Sequence, residues 1–228
     1  MATRNTEHLA ATVAEHIEAD AVVQGDYWSE DEQKGCFIGC LVHADRPDLI
    51  EERYGIPVMI TRIAEAIFER LPSAEATQFF ADFPAAINND GKDLSRVGWQ
   101  FLSQTLRDLP VVAAEVQAVI DPVIAGLDRL AEGEQWPSAD ANAAAKACDP
   151  AARACDAAAA MAADAARAAA WAAAWVHARV HAWAAARAAA RAAAAWDPAR
   201  DADAKAADAW DAAIRQQRDL LLRLISEA

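Results

Sequence analysis

The sequence predicts an all-α protein, with a compact helical domain over residues 1–135 and a long alanine-rich helical arm or hairpin over residues 136–228. Apolar residues recur at steps of three and four, as at Leu9 and Val13, which places them on one face of a helix. No stretch alternates apolar and polar residues as a half-buried strand does, so no sheet is expected. After Gly133 the composition changes to alanine with scattered Arg, Asp and Trp, and this change marks the domain boundary.

Turn and capping residues divide the first part into helices. Gly25 ends the first helix, and Ser29 with Glu32 has the spacing of a capping box, which predicts the start of the second. Further helices are predicted from Pro57 to Leu71, from Ser73 through Phe83, from Leu94 to Leu109 and from Val111 to Leu130.

The second part carries two helix-start signals of the same kind. Asp149-Pro150 and Asp197-Pro198 each place a capping residue before a proline at the first helical position. We therefore expect one helix from Pro150 to Trp196, about 70 Å long at about 1.5 Å per residue, and a second from Pro198 to Ile225. A continuous bent rod is the alternative to a hairpin.

Large side chains recur every four residues along the longer of these predicted helices, while alanine fills the positions between them. Alanine lets another helix approach closely, so this stretch is predicted to be an interaction arm. Its residues are Trp171, Trp175, Arg179, Trp183, Arg187 and Arg191.

Charge is distributed unevenly along the chain. Residues 1–135 contain 24 acidic and 10 basic residues, whereas residues 136–228 contain 11 of each, so the first part carries the whole net charge of −14. An acidic domain repels phosphates, which disfavours nucleic acid as its partner and favours a basic protein surface. Solubility alone is the simpler interpretation of the same charge.

The segment from Lys34 to His43 gathers chemically capable side chains. Cys36, Cys40 and His43 would share one face of the predicted second helix, and His16 and Asp20 on the preceding helix could add ligands. Thiolates and imidazoles are zinc ligands, and a histidine beside a cysteine can activate a thiol, so a zinc site and thiol chemistry are both open.

The same segment also has a purely structural interpretation, because Gly35 and Gly39 form a small pair at helical spacing. Such a pair predicts a close helix crossing with the cysteines buried as small apolar residues. Further along the chain, Glu65 and Glu69 also lie four residues apart, and paired carboxylates can act in acid–base chemistry or bind a metal. Because Arg62 and Arg70 lie beside them, we favour solvated ion pairs as the interpretation.

The first part resembles a family of uncharacterised bacterial and phage-borne proteins over roughly residues 8–110. The resemblance rests on the order of several motifs: His16-x-x-x-Asp20, Gly25-Asp26-Tyr27, Lys34-Gly35-Cys36-x-x-Gly39-Cys40-x-x-His43, Gly55-Ile56-Pro57 and Ala66-Ile67-Phe68-Glu69-Arg70-Leu71-Pro72. The family implies no activity, but its association with phages implies a role directed at a host or at host defence. Some of its members also end in alanine-rich helices.

These observations favour a non-enzymatic interaction protein, such as a phage-type inhibitor of a host complex, which binds a protein partner and forms a homo-oligomer. A metal- or thiol-dependent enzyme centred on Cys36, Cys40 and His43 is the alternative. A nucleic-acid binder acting through Arg179, Arg187 and Arg191 is a second alternative. The arginines and histidines of the arm disfavour a membrane span. With no secretory signal, we expect a cytoplasmic location.

Overall fold

The computed structural model of the chain describes residues 2–109, 113–152, 157–174, 184, 188–190, 192 and 204–228. These residues are predominantly helical, which confirms the predicted all-α class. The helices are α1 (Thr6–Glu18), α2 (Phe37–Val42), α3 (Pro47–Tyr54), α4 (Val58–Phe68), α5 (Ser73–Ile87), α6 (Val97–Arg107), α7 (Ala114–Glu132), α8 (Ser138–Ala147), α9 (Asp149–Ala152), α10 (Ala157–Ala174) and α11 (Ala204–Glu227). None of the described helices is both long and apolar enough to cross a membrane.

A short β-hairpin interrupts the helices. Strand β1 (Trp28–Ser29) pairs antiparallel with β2 (Lys34–Gly35), and Trp28 lies opposite Gly35. The expectation of no sheet was therefore wrong here, because strands of two residues are too short to show alternation in a sequence.

The hairpin occupies part of the predicted second helix, so that helix is much shorter than expected. It covers only Phe37–Val42. The Ser29 hydroxyl does accept a hydrogen bond from the Glu32 backbone N–H, at 3.3 Å, but it does so within the hairpin turn. The capping-box spacing therefore correctly predicted a hydrogen bond between Ser29 and Glu32. It wrongly predicted the start of a helix, because the bond lies in the turn of a β-hairpin.

Contacts divide the chain into two compact units. Unit 1 consists of residues 1–97 together with 218–228, and unit 2 consists of residues 98–217. The change of composition near residue 136 falls inside unit 2. Unit 1 therefore takes its final segment from a part of the chain that composition alone groups with the arm.

Aromatic side chains form the centre of unit 1. The ring of Phe37 lies 5.0–6.1 Å from four other phenylalanine rings, which come from α4 and α5. All five rings are at most 1% exposed, so α2 is anchored by a buried cluster of aromatic rings.

The C-terminal segment completes unit 1. Leu221 and Ile225 are fully buried, and the Lys92 ammonium donates to the carbonyls of Ile225 and Ser226 at 3.0 and 2.9 Å. A lysine at these carbonyls satisfies the last turn of α11, where the helix dipole favours a cation. Arg218 adds an ion pair with Glu75 at 3.0 Å.

Alanine helices pack closely in unit 2. In α10 the alanines at positions 162, 163, 165, 166, 169 and 170 are at most 1% exposed, and the helix contacts α7 and α8. The ring of Trp136 lies so near Gly126 of α7 that a Cβ added at Gly126 would be 2.3 Å from the ring. Small residues thus provide close helix packing, as the alanine content predicted.

The predicted arm is described only in part. Residues 149–152 and 157–174 are helical, in agreement with the expected helix after Asp149. Most of the remaining stretch up to Trp196 lies outside the described residues, and so do the predicted start at Pro198 and the hairpin or rod arrangement.

Gly35 and Gly39 do allow a close approach, but the neighbour is the hairpin and not a second helix. A Cβ on Gly39 would lie 1.3 Å from the carbonyl oxygen of Tyr27, and one on Gly35 would lie 2.4 Å from the same atom. The N–H of Cys36 donates to the carbonyl of Asp26 at 2.8 Å, which fixes the segment leading into β1 over the start of α2.

Gly39→Ala should therefore destabilise the protein by about 3 kcal/mol or more, because an added methyl group forces backbone atoms apart. Gly91→Ala is the matched control: Gly91 has a φ of +95° with open space around it, so only the conformational cost of about 1–2 kcal/mol applies. Urea unfolding measures both. Equal losses would contradict the close approach.

Candidate functional site

The structure places one of the three residues that were predicted to share a helix face inside α2 and the other two at its ends. Cys36 precedes α2 in an extended conformation, Cys40 lies within it, and His43 follows it with a φ of +56°. Only Cys40 therefore lies inside the helix that was predicted to carry all three residues, because the left-handed conformation of His43 ends α2. Each side chain meets different neighbours.

Both thiols are buried and hydrogen-bonded. The Cys40 thiol donates to the carbonyl of Gly35 at 3.1 Å, and the Cys36 thiol donates to Oε1 of Glu65 at 3.6 Å. Burial raises the pKa of each thiol to about 12, so both remain protonated at neutral pH. Neither group is thus prepared to act as a nucleophile or as a thiolate ligand.

His16 and His43 meet directly. Their Nε2 atoms are 3.2 Å apart, and Nδ1 of His16 lies 2.8 Å from the carbonyl oxygen of Thr12. Since that carbonyl can only accept, His16 carries its proton on Nδ1, and in the neutral pair His43 donates from Nε2. The indole of Trp28 stacks on His43 at 3.9 Å between ring centroids and 10° between planes.

Asp20 does not join this pair. Its side chain is fully exposed, and its carboxylate lies 3.9 Å from the Lys34 ammonium. Within the described part of the chain, no three His, Cys, Asp or Glu side chains lie close enough to hold a metal ion. The geometry therefore gives no support to a zinc site built from Cys36, Cys40, His43, His16 and Asp20.

A polar network centred on Arg62 lies beside Cys36. The guanidinium binds Asp45 at 2.9 Å and Oε2 of Glu65 at 2.8 Å, which leaves Glu65 with one oxygen on the arginine and the other on the Cys36 thiol. Burial raises the pKa of Glu65, and the hydrogen bond from Arg62 partly offsets this. With both oxygens engaged, Glu65 acts as a structural carboxylate.

The Glu65/Glu69 pair thus differs from the solvated ion pairs that were expected. The Arg62–Glu65 contact exists but is mostly buried, and Oε2 of Glu69 accepts the backbone N–H of Gly25 at 2.8 Å. This bond attaches α4 to the chain just ahead of the hairpin. The two carboxylates hold structure in place and do not share a reaction site.

Only the first residue of the predicted interaction arm falls within the described part. Trp171 is 46% exposed, and the Arg167 guanidinium lies over its ring at 5.3 Å. Arg167 also pairs with Asp149 at 3.2 Å. The other arm residues, Trp175, Arg179, Trp183, Arg187 and Arg191, lie outside the described residues.

Sequence reasoning missed the contribution of the hairpin. Trp28 contacts His43, Tyr27 is 44% exposed beside Arg62, and three consecutive acidic residues form the exposed hairpin tip: Glu30, Asp31 and Glu32. The available signal was the polar run between Trp28 and Lys34, which is typical of a loop.

Comparison of the chain with protein-family models, with curated proteins and with solved structures finds no match to any of them.

The histidine pair should make stability depend on pH. Burial, and then the neighbouring His16, lowers the pKa of His43. Among the other charged groups that face His43, Arg53 also lowers its pKa, whereas Glu30 and Glu15 raise it. Because the folded pKa lies below the unfolded value of about 6.5, the unfolded chain binds more protons as the pH falls. The free energy of unfolding should therefore drop below about pH 6.5 and level off below the folded pKa.

Urea unfolding at several pH values checks this, with His43→Gln compared against His8→Gln, a change at an exposed histidine of α1. We expect His43→Gln alone to flatten the dependence below about pH 6.5. Identical profiles for the two variants would show that the pair contributes nothing.

Arg62→Met should cost about 3 kcal/mol, because it leaves the Glu65 carboxylate buried without its charge partner. Glu65→Gln in the Arg62→Met background should recover part of this loss, since the amide carries no charge. Chemical denaturation of the single and double variants measures the coupling. Additive losses would contradict the network.

Proposed function

We propose that this chain is a non-enzymatic interaction protein whose acidic surface on unit 1 binds a basic surface of a partner protein. The observation that carries the proposal is the hairpin tip, where Glu30, Asp31 and Glu32 are all exposed next to the exposed Tyr27. Tyrosine is enriched at protein interfaces, whose rim is polar. The net charge of −14 supplies long-range attraction to a basic partner.

The charge balance of unit 1 supports the same proposal. Residues 1–97 and 218–228 contain 20 acidic and 10 basic residues, so carboxylates outnumber the cations of the unit. The three acidic residues of the hairpin tip are among those that are exposed to solvent.

The alternatives have weaker support. The buried thiols of Cys36 and Cys40, with a pKa of about 12, are poorly suited to a metal- or thiol-dependent enzyme. A nucleic-acid binder would act through Arg179, Arg187 and Arg191, which lie outside the described residues. Homo-oligomer formation, a cytoplasmic location and inhibition of a host complex by a phage-type protein remain parts of the proposal that rest on the sequence and on the family resemblance.

Pull-down from a bacterial lysate tests the proposal, using Glu30→Gln/Asp31→Asn/Glu32→Gln as the tip variant. The matched control, Glu115→Gln/Glu132→Gln/Asp140→Asn, removes the same charge from exposed positions of unit 2. We expect the tip variant to lose about tenfold in apparent affinity for a captured partner, with a strong salt dependence, while the control stays within about twofold.

Two results would contradict the proposal. One is equal weakening by the two variants, which would reduce the effect to net charge. The other is a partner whose binding is insensitive to salt and to both variants, which would place the interaction away from the acidic surface.

A further inference from the structure

A groove on unit 1 runs between α1 and α5. Its volume is about 420 Å³, which is within the usual range for ligand sites of about 300–1,000 Å³. Small or apolar side chains form most of its wall. The α1 side contributes Thr6, Glu7, Ala10, Val13, Ala14 and Ile17, and the α5 side contributes Ala81, Pro84, Ala85 and Asn88.

The packing of α5 explains why the groove remains open. Phe79, Phe80 and Phe83 point into the core and are at most 1% exposed, so the side of the helix next to α1 carries alanine and proline instead. On α1 the facing positions are also alanines, Ala10 and Ala14, one turn apart. Small side chains on both helices leave room for larger apolar side chains from outside.

Acidic groups outnumber basic ones around the groove, where the Lys92 ammonium lies 3.4 Å from the carbonyl oxygen of Ala86, next to the lining residue Ala85. Glu7 lines the groove, and Asp90 accepts hydrogen bonds from the backbone N–H and the hydroxyl of Thr6 at 2.9 and 2.8 Å. These bonds lower the pKa of Asp90 and keep it ionised at that end. None of the lining residues, and none of their immediate neighbours in the chain, is Lys or Arg, whereas Glu15, Glu18 and Asp82 are such neighbours.

We infer that this groove, defined by the ten lining residues above, is the docking site for a basic amphipathic helix of a partner protein. Large apolar side chains at positions i, i+3 or i+4, and i+7 of that helix would fill the space over the alanines, and its Lys and Arg residues would meet the acidic rim. The inference rests on the proposed function, because it names the chemistry of the partner and the place on unit 1 where it binds.

The probe is a synthetic 18-residue peptide with Leu at positions i, i+3 or i+4, and i+7 of the helix and Lys at the other positions. Its control is a scrambled peptide of the same composition. Binding to the full chain is measured by fluorescence anisotropy at low and physiological salt. We expect the amphipathic peptide to bind at least about tenfold more tightly than the scrambled one. Methyl signals of Val13 and Ile17 should shift on binding, which locates the peptide without any substitution.

Two substitutions on the same helix provide the sharpest comparison. Ala14→Arg places a cation and a long side chain in the groove, whereas Ala11→Arg makes the same change at an exposed position of α1 that does not line it. Arginine is a good helix former, so both variants should keep the helix. We expect Ala14→Arg to weaken peptide binding about tenfold and Ala11→Arg to change it less than about twofold.

Several outcomes would overturn the inference. Equal weakening by both variants, or equal binding of the scrambled peptide, would leave only non-specific charge attraction. Self-association that Ala14→Arg abolishes, without peptide binding, would make a second copy of the chain the occupant. Uptake of a small apolar dye without peptide binding would make the groove a small-molecule site.

The lysate experiment separates this inference from the proposed function. A partner that the tip variant loses but Ala14→Arg retains would leave the proposed function intact and remove the groove from it. Peptide binding in the groove together with failure to capture any salt-sensitive partner would instead count against the proposed function alone.

Discussion

The carbonyl oxygen of Tyr27 lies in the space that a side chain at residue 39 would occupy, and nearly in that of residue 35. Glycine at both positions lets the segment before strand β1 rest on the start of α2, with the Cys36 N–H bound to the carbonyl of Asp26. Several other features depend on this contact. It brings Trp28 onto His43, places Tyr27 beside Arg62, and presents the acidic tip to solvent. A methyl group in this contact would therefore disturb stability and surface together.

The features that sequence could predict are those that depend on neighbours in the chain. The spacing of Leu9 and Val13 correctly predicted α1, and the alanine content correctly predicted close helix packing in α10. The hairpin could not be predicted in this way, because its strands are too short for alternation. The contacts between His16 and His43, and between Cys36 and Glu65, join residues 27 and 29 positions apart, so they depend on tertiary packing that no local motif records.

The candidate site illustrates how residue type and residue environment differ. Cysteine and histidine at short spacing suggested a metal site or a reactive thiol. Burial, however, raises the pKa of both thiols and keeps them protonated, and the His43 ring stacks on Trp28. Acidic side chains show the opposite behaviour. A run of acidic residues in a sequence does not indicate a particular reaction. When these residues are exposed, however, they form a negatively charged surface that favours positively charged partners.

The return of residues 218–228 to unit 1 has a consequence for biosynthesis. Leu221 and Ile225 bury themselves against a unit whose other residues come from the beginning of the chain, and Lys92 binds the carbonyls that end α11. A ribosome must translate the whole intervening segment before this helix exists. The nascent chain therefore carries an incomplete unit 1, with apolar surface uncovered, throughout that interval, which is the period when chaperones and proteases act on it.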